Sequence, residues 1–377
     1  MKKKIAFIVP MLAPYRVTFY EKLFNDANNE WCLFHGIKKV EDGRPHYKES
    51  ILFQNVPYNF NSFKLGPLEF YYHFGLNRKV REFKPNIIIM YGNLSVISNI
   101  LLMKWAKKRK LKVILWICSW EREKIKSLVK HLKILACKYY YFKADQFIAY
   151  GTHAKRLLVD LGIMEYKIKI AFNGIETDLM QKNKTRILKE VNNVRIKYAN
   201  PDDLIFVYVG GLIESKKVIQ LIEQFDNLNK KYRSIKLWII GDGALRTKVQ
   251  LLIKQLSNRN IIYFGRILTD VDLFFAASDC FVLPGSGGVA LTQALFWMKP
   301  CICSVADGTE EDLIIDGETG FYFQRNNWTD FQAAMEKFIK TGIQKRKRMG
   351  QNGHNLIINR SNVNKMVEVF KDTINNA

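Results

Sequence analysis

A chain of 377 residues, 48% hydrophobic and 13% aromatic, has enough apolar material for two cores and excludes wholesale disorder. Its formal net charge of +24 is uneven: residues 1–180 hold 31 Lys/Arg against 15 Asp/Glu, the remainder 28 against 20. Such a basic front half suits an anionic partner, whether phospholipid, lipid pyrophosphate or nucleic acid; a solvated lysine-rich face is the plainer alternative. The six cysteines (32, 118, 137, 280, 301 and 303) form no C-x-x-C pair and several lie in apolar runs. Packed thiols in a reducing cytoplasm are therefore expected.

In chain order, "MKKKIAFIVPMLAPYR" has too short an apolar run for a signal peptide and reads as a buried first strand. No stretch reaches the ~18 apolar residues of a membrane span. Residues 4–10, 86–92, 112–118, 146–151 and 168–174 are continuous apolar runs, the mark of strands buried on both faces of a parallel sheet. Between them "RVTFYEKLFNDA" and "THAKRLLVDLG" have helical spacing. Residues 175–203 are polar and show no strand, after which runs at 204–211, 236–243, 261–267, 280–286 and 301–308 restart the alternation. The expected architecture is α/β, two doubly wound parallel-sheet, Rossmann-like domains facing across a crevice. The expected boundaries are 1–175, 176–355 and a C-terminal helical segment, 356–377, able to return to the first domain.

Three glycine-containing strand ends invite a ligand. In "VYVGGLIESKKVIQLIEQF" a strand enters Gly210-Gly211, a loop with Lys216 and Lys217, then a helix. Free amides, the helix dipole and a lysine suit a phosphate oxyanion, although an ordinary turn with exposed lysines has the same composition. "IIGDGALR" lacks the third glycine of a dinucleotide fingerprint and reads as a tight turn. "LPGSGGVALTQALFWMKP" (283–300) can converge several amides on one anion, with Gln293 on the following helix as a partner for sugar hydroxyls or a buried structural amide. The acids Glu310, Glu311 and Asp312 follow, either serving hydroxyls or forming a solvated loop.

The order of "VGGLIESKK", "IIGDG", "IIYFGRI", "AASDCFVLPGSGGVALTQALFWMKPCI" and "DGTEEDLIIDGETGFYF" resembles the family-four glycosyltransferases of the GT-B fold. The first half is similar more loosely, through "KIAFIVPMLAPYRVTFYEKL", "ADQFIAYGTHAKRLLVDLG" and "IKIAFNGIETD". The resemblance implies that Lys216 neutralises a donor diphosphate, with Gly211 where an arginine is usual. It implies that Gly287, Gly288 and Val289 meet the phosphates and donor sugar, and that Arg266 and Ile267 lie at the nucleobase. Of two glutamates usual in the family, the first position is Gly285 and the second Gln293. Gln293 and Ser286 are then the candidates for ribose or donor-sugar contacts. "PYR" places Tyr15 and Arg16 facing the crevice on the acceptor side. No catalytic residue is assigned.

The implied activity is retaining transfer of a sugar from a nucleotide diphosphate donor to a lipid-linked glycan of surface polysaccharide biosynthesis. The resemblance implies no metal and no cofactor, with the donor phosphate taking the acceptor's proton. The alternating lysines and apolar residues of 122–143 suggest a helix on an anionic membrane, so the expected location is cytoplasmic and peripheral on its inner face. The missing glutamates leave a second reading, a degenerate homologue that binds or scaffolds. No helix-turn-helix, RNA-recognition or OB signature supports nucleic acid as a partner.

Overall fold

The uninterrupted apolar runs become the centres of two sheets. The computed structural model describes residues 2–37, 51–66, 68–118, 135–305 and 308–377. The chain divides into two units, Met1–Asn173 with Val363–Ala377, and Gly174–Asn362.

The first unit holds β1 (Lys3–Val9), β2 (Asn29–Ile37), β3 (Asn55–Leu65), β4 (Leu68–His73), β5 (Ile87–Tyr91), β6 (Lys112–Ile117), β7 (Gln146–Ala149) and β8 (Ile168–Ile170). They lie in the order β4-β3-β2-β1-β5-β6-β7-β8. All neighbours are parallel except the β3–β4 pair, which is antiparallel. In β6 every residue after Lys112 is buried, as its run of apolar side chains requires when helices cover both faces. The β3–β4 hairpin, which turns at Gly66 with φ +58°, was not expected. Its alternating polar and aromatic residues leave Phe63 and Leu65 exposed, with Phe63 stacked on Phe70 at 5.6 Å.

On one face of this sheet lie helices Leu76–Phe83, Ile97–Lys108 and Thr152–Asp160. On the other, helix Val17–Phe24 meets the C-terminal helix Val363–Asn375. Phe370 from that last helix touches Phe7, Phe19 and Trp116, with ring centroids 5.7, 5.0 and 5.1 Å away. The chain therefore completes its first core with its last residues.

The second unit holds β9 (Leu204–Val209), β10 (Ile235–Ile240), β11 (Ile261–Gly265), β12 (Cys280–Leu283), β13 (Cys301–Cys303) and β14 (Gly320–Tyr322). Their order, β11-β10-β9-β12-β13-β14, is parallel throughout and reverses between β9 and β12. In such sheets ligands sit outside the carboxyl ends of the strands at that reversal. The polar stretch after residue 175 is a 22-residue helix, Thr177–Tyr198. Glu176 caps its start by accepting from the Asp178 amide at 2.8 Å. Its arginines hold the short helix Val271–Ala277 at both ends: Arg186 meets Asp270 at 2.5 Å, and Arg195 donates to the Ala277 carbonyl at 2.7 Å.

Because Phe370 fills a ring-lined core, Phe370→Ala is expected to destabilise the first unit by about 3–5 kcal/mol. Urea titration of the full chain, followed by tryptophan fluorescence, should show that unit's transition at a lower midpoint.

Candidate functional site

The loops leaving β9 and β12 meet at the reversal of the second sheet. The β9 loop is shaped by Tyr208, whose buried phenol is pushed up in pKa by desolvation and donates to the Gly211 carbonyl at 2.9 Å. A short 3₁₀ turn, Glu214–Lys216, then delivers Lys216, and Lys217 adopts a left-handed conformation at φ +58° to start helix Val218–Lys231. Lys216 Nζ donates to the Ser286 carbonyl at 2.6 Å and to the Gly287 carbonyl. The Ser286 amide donates to the Ser215 carbonyl at 3.0 Å.

Glycine at 285 follows from this seam. A Cβ built there would lie 2.2 Å from the Ser215 carbonyl oxygen and 2.6 Å from Lys216 Cα, both backbone atoms. Gly288 also borders the lysine, its Cβ position 3.4 Å from Nζ. Helix Val289–Phe296 starts here with no side-chain cap; the Leu291 amide donates back to the Gly288 carbonyl at 3.2 Å, and the amides before it have no acceptor within the helix. Cation, glycine backbone and uncapped amides thus share one place, a polar arrangement complementary to a phosphate group.

The neighbouring loops support it. Gly241 approaches the Gly210 carbonyl so closely that a Cβ would fall 1.9 Å from it, and Tyr263 donates to the Gly241 carbonyl at 3.1 Å. The "GDG" turn is accordingly a packing device. Position 211 is open: the nearest atom to a Cβ there is the Asp242 carbonyl oxygen at 4.0 Å. Arg266 is exposed after β11 and Ile267 is half-buried against the core.

Gln293 is half-buried, and its amide nitrogen donates to Asp272 Oδ1 at 2.9 Å. Trp297 Nε1 donates to the same oxygen at 2.7 Å. Asp272 was missed by sequence reading. Gln293 and Trp297, four apart, share a helix face, but nothing local points to an acid 21 residues earlier. The acidic trio is largely structural. Glu310 is fully buried and accepts from the Gly308 amide at 3.1 Å, Asp312 is buried, and Tyr322 donates to the Glu310 carbonyl at 2.7 Å. The solvated-loop reading is thereby corrected for Glu310 and Asp312, while Glu311 is half-buried.

In the first unit, Arg16 was expected to face a crevice, yet only 3% of it is exposed. It donates to Tyr150 Oη, to Asn173 Oδ1 at 2.5 Å and to Met366 Sδ at 3.2 Å. Its guanidinium also lies over the rings of Trp116 and Tyr150, at 5.6 and 5.4 Å. Burial pushes the Tyr20, Tyr91 and Tyr150 phenols upward, so they stay neutral, and no carboxylate among the described residues pairs with Arg16. Tyr15 remains half-exposed, its ring 5.2 Å from the guanidinium.

Two parallel-sheet, Rossmann-like domains of this kind are the architecture of the GT-B glycosyltransferases. Anabaena HepE, solved in complex with UDP, superposes with TM-score 0.74 at 13% identity over 100% of both chains. Sucrose-phosphate synthase from Thermosynechococcus elongatus gives 0.68 at 15% identity, again over 100% of both; at these identities the likeness is one of fold.

Residues 190–356 match the family model "Glycosyl transferases group 1". An uncharacterized glycosyltransferase of Methanocaldococcus jannaschii is 34% identical over 54% of this chain and 50% of its own length. The chain thus spans about half the length of that relative. The lipopolysaccharide 1,6-galactosyltransferase of Escherichia coli K12 is 23% identical over 74% of this chain and 73% of its own. The capsular polysaccharide biosynthesis glycosyltransferase CapM of Staphylococcus aureus is 26% identical over 58% of each.

The close seam at 285 and the open space at 211 predict opposite outcomes for two substitutions. Gly285→Glu should displace the Lys216 loop and abolish pyrophosphate binding measured by calorimetry. Gly211→Arg, adding a second cation where there is room, should tighten it about tenfold.

Proposed function

We propose that the protein is a glycosyltransferase that moves a sugar from a nucleotide diphosphate donor to a glycan acceptor of surface polysaccharide biosynthesis. The observation that carries this reading is the meeting of Lys216 with the 285–289 loop at the strand-order reversal. As the glycosidic bond breaks, negative charge develops on the departing diphosphate. A preorganised ammonium group and the amides of Gly287, Gly288 and Val289 stabilise that charge without reorganising. Lys216 spends its hydrogen bonds on two carbonyls, which an arriving diphosphate, the stronger acceptor, would replace.

Further parts of the reading rest on the resemblance. Transfer proceeds with retention, the donor phosphate accepts the acceptor's proton, and Arg266 and Ile267 border the base. Gly285 and Gln293 stand where the family's two glutamates would be, leaving the diphosphate to Lys216 and the amides. Tyr15 contacts the acceptor, and Arg16 acts behind it by fixing the short 3₁₀ turn Pro14–Arg16 that carries Tyr15 rather than by touching substrate.

The acceptor is lipid-linked, and the protein sits peripherally on an anionic membrane. The basic segment 122–143 carries this proposal, though residues 119–134 lie outside the described residues. In the described part Leu135, Tyr139 and Phe142 are exposed, and Lys143 Nζ lies 3.7 Å from the Tyr139 ring centre. Exposed rings beside lysines suit the boundary between headgroups and acyl chains. No described helix is long and apolar enough to cross a membrane.

Incubation with UDP-sugars and a lipid-linked saccharide should release UDP, and Lys216→Ala should lower kcat by about 10²–10³-fold. Donor binding without release over long incubation would instead favour a non-catalytic binding subunit. Sedimentation with vesicles containing phosphatidylglycerol should capture the protein in a salt-sensitive manner; equal capture by neutral vesicles would remove the membrane proposal.

A further inference from the structure

Gln293 occupies the helix behind the glycine loop, where the resemblance expects a carboxylate for the ribose. Its amide nitrogen faces Asp272 Oδ1 at 2.9 Å. A carboxylate oxygen only accepts, so the amide edge turned toward Asp272 must be the NH₂. The carbonyl Oε1 is then fixed on the opposite edge, and no described group donates to it. Trp297 Nε1 donates to the same Asp272 oxygen at 2.7 Å, so that oxygen receives two donors from successive turns of one helix.

Asp272 is itself held. It lies in helix Val271–Ala277, whose start is tied by Asp270 to Arg186 at 2.5 Å and whose end is tied by the Ala277 carbonyl to Arg195 at 2.7 Å. Both arginines come from the long helix Thr177–Tyr198, which gives that helix a role its polar sequence did not suggest. A side chain locked through its neighbours presents its remaining acceptor without an ordering cost.

We propose that Asp272 is a positioning residue that orients the Gln293 amide so that Oε1 accepts a hydrogen bond from a ribose hydroxyl of the donor nucleotide. This deepens the donor-site reading and rests on it. It has a consequence for position 293: a glutamate there would bring a second carboxylate within about 3 Å of Asp272, and like charges at that distance repel. The acidic residue expected at 293 is compatible with this site only when residue 272 is not an acid.

The test is calorimetric titration of the full-length protein and its variants with UDP, ADP and GDP, and with the 2′,3′-dideoxy form of the tightest binder. Wild type should bind the ribonucleotide about tenfold more tightly than the dideoxy form, the worth of one hydrogen bond to a half-buried, fixed amide. Asp272→Ala should abolish that discrimination by freeing the amide to turn over. Asp272→Asn keeps an acceptor oxygen for Gln293 and Trp297, and should retain the discrimination, which guards against a general folding defect. Gln293→Glu should bind more weakly than wild type, with recovery in the Asp272→Asn/Gln293→Glu double variant. Unchanged discrimination in Asp272→Ala, or tighter binding by Gln293→Glu alone, would overturn this inference and leave the donor-site reading intact. Failure of wild type to bind any of the three diphosphates would overturn both.

Discussion

The contact between Lys216 and the carbonyls of Ser286 and Gly287 organises the second unit's site, because it joins two loops that the sheet order alone only brings near each other. The cation can reach those carbonyls because the Ser215–Lys216 backbone lies against residue 285 with no space for a Cβ. Glycine there is a packing requirement of the lysine's own loop. An acid at 285 and this position of Lys216 are mutually exclusive with the backbone as it stands. The seam removes one place where a carboxylate might have stood.

The two positions where acids are expected depart from that pattern for different physical reasons. At 285 the reason is steric and lies in backbone approach. At 293 it is electrostatic: a carboxylate already stands beside the helix as Asp272, and a neutral amide is the side chain that can satisfy it. Asp272 also receives the Trp297 indole, so charge and packing are settled together.

The first unit handles its buried charge differently. Arg16 is enclosed by Trp116, Tyr150, Asn173 and Met366, with the neutral Tyr150 phenol, the Asn173 amide oxygen and the Met366 sulfur accepting its hydrogen bonds. A buried guanidinium tolerates this because it is weakly hydrated and stacks on aromatic faces. Its partners come from a strand end, from the last residue before the chain leaves the unit, and from the helix by which it returns. One side chain thus fastens three distant parts of the chain within the same core that Phe370 completes.

Much of the architecture was legible in the sequence because strand burial is a local pattern. Runs such as "KVILWI" announce parallel strands with both faces covered, and glycines at their ends announce loops where backbone approaches closely. The same glycine signal is what lets Lys216 and residues 287–289 be proposed as phosphate-binding. The β3–β4 hairpin escaped because the alternation in β3 slips by one residue between Phe60 and Phe63, which breaks its period. Which glycine is obligatory, where Arg16 points and what holds Gln293 were decided only by tertiary structure. Each depends on atoms from separate loops or helices brought within a few ångströms by sheet order, and no spacing along the chain encodes that distance.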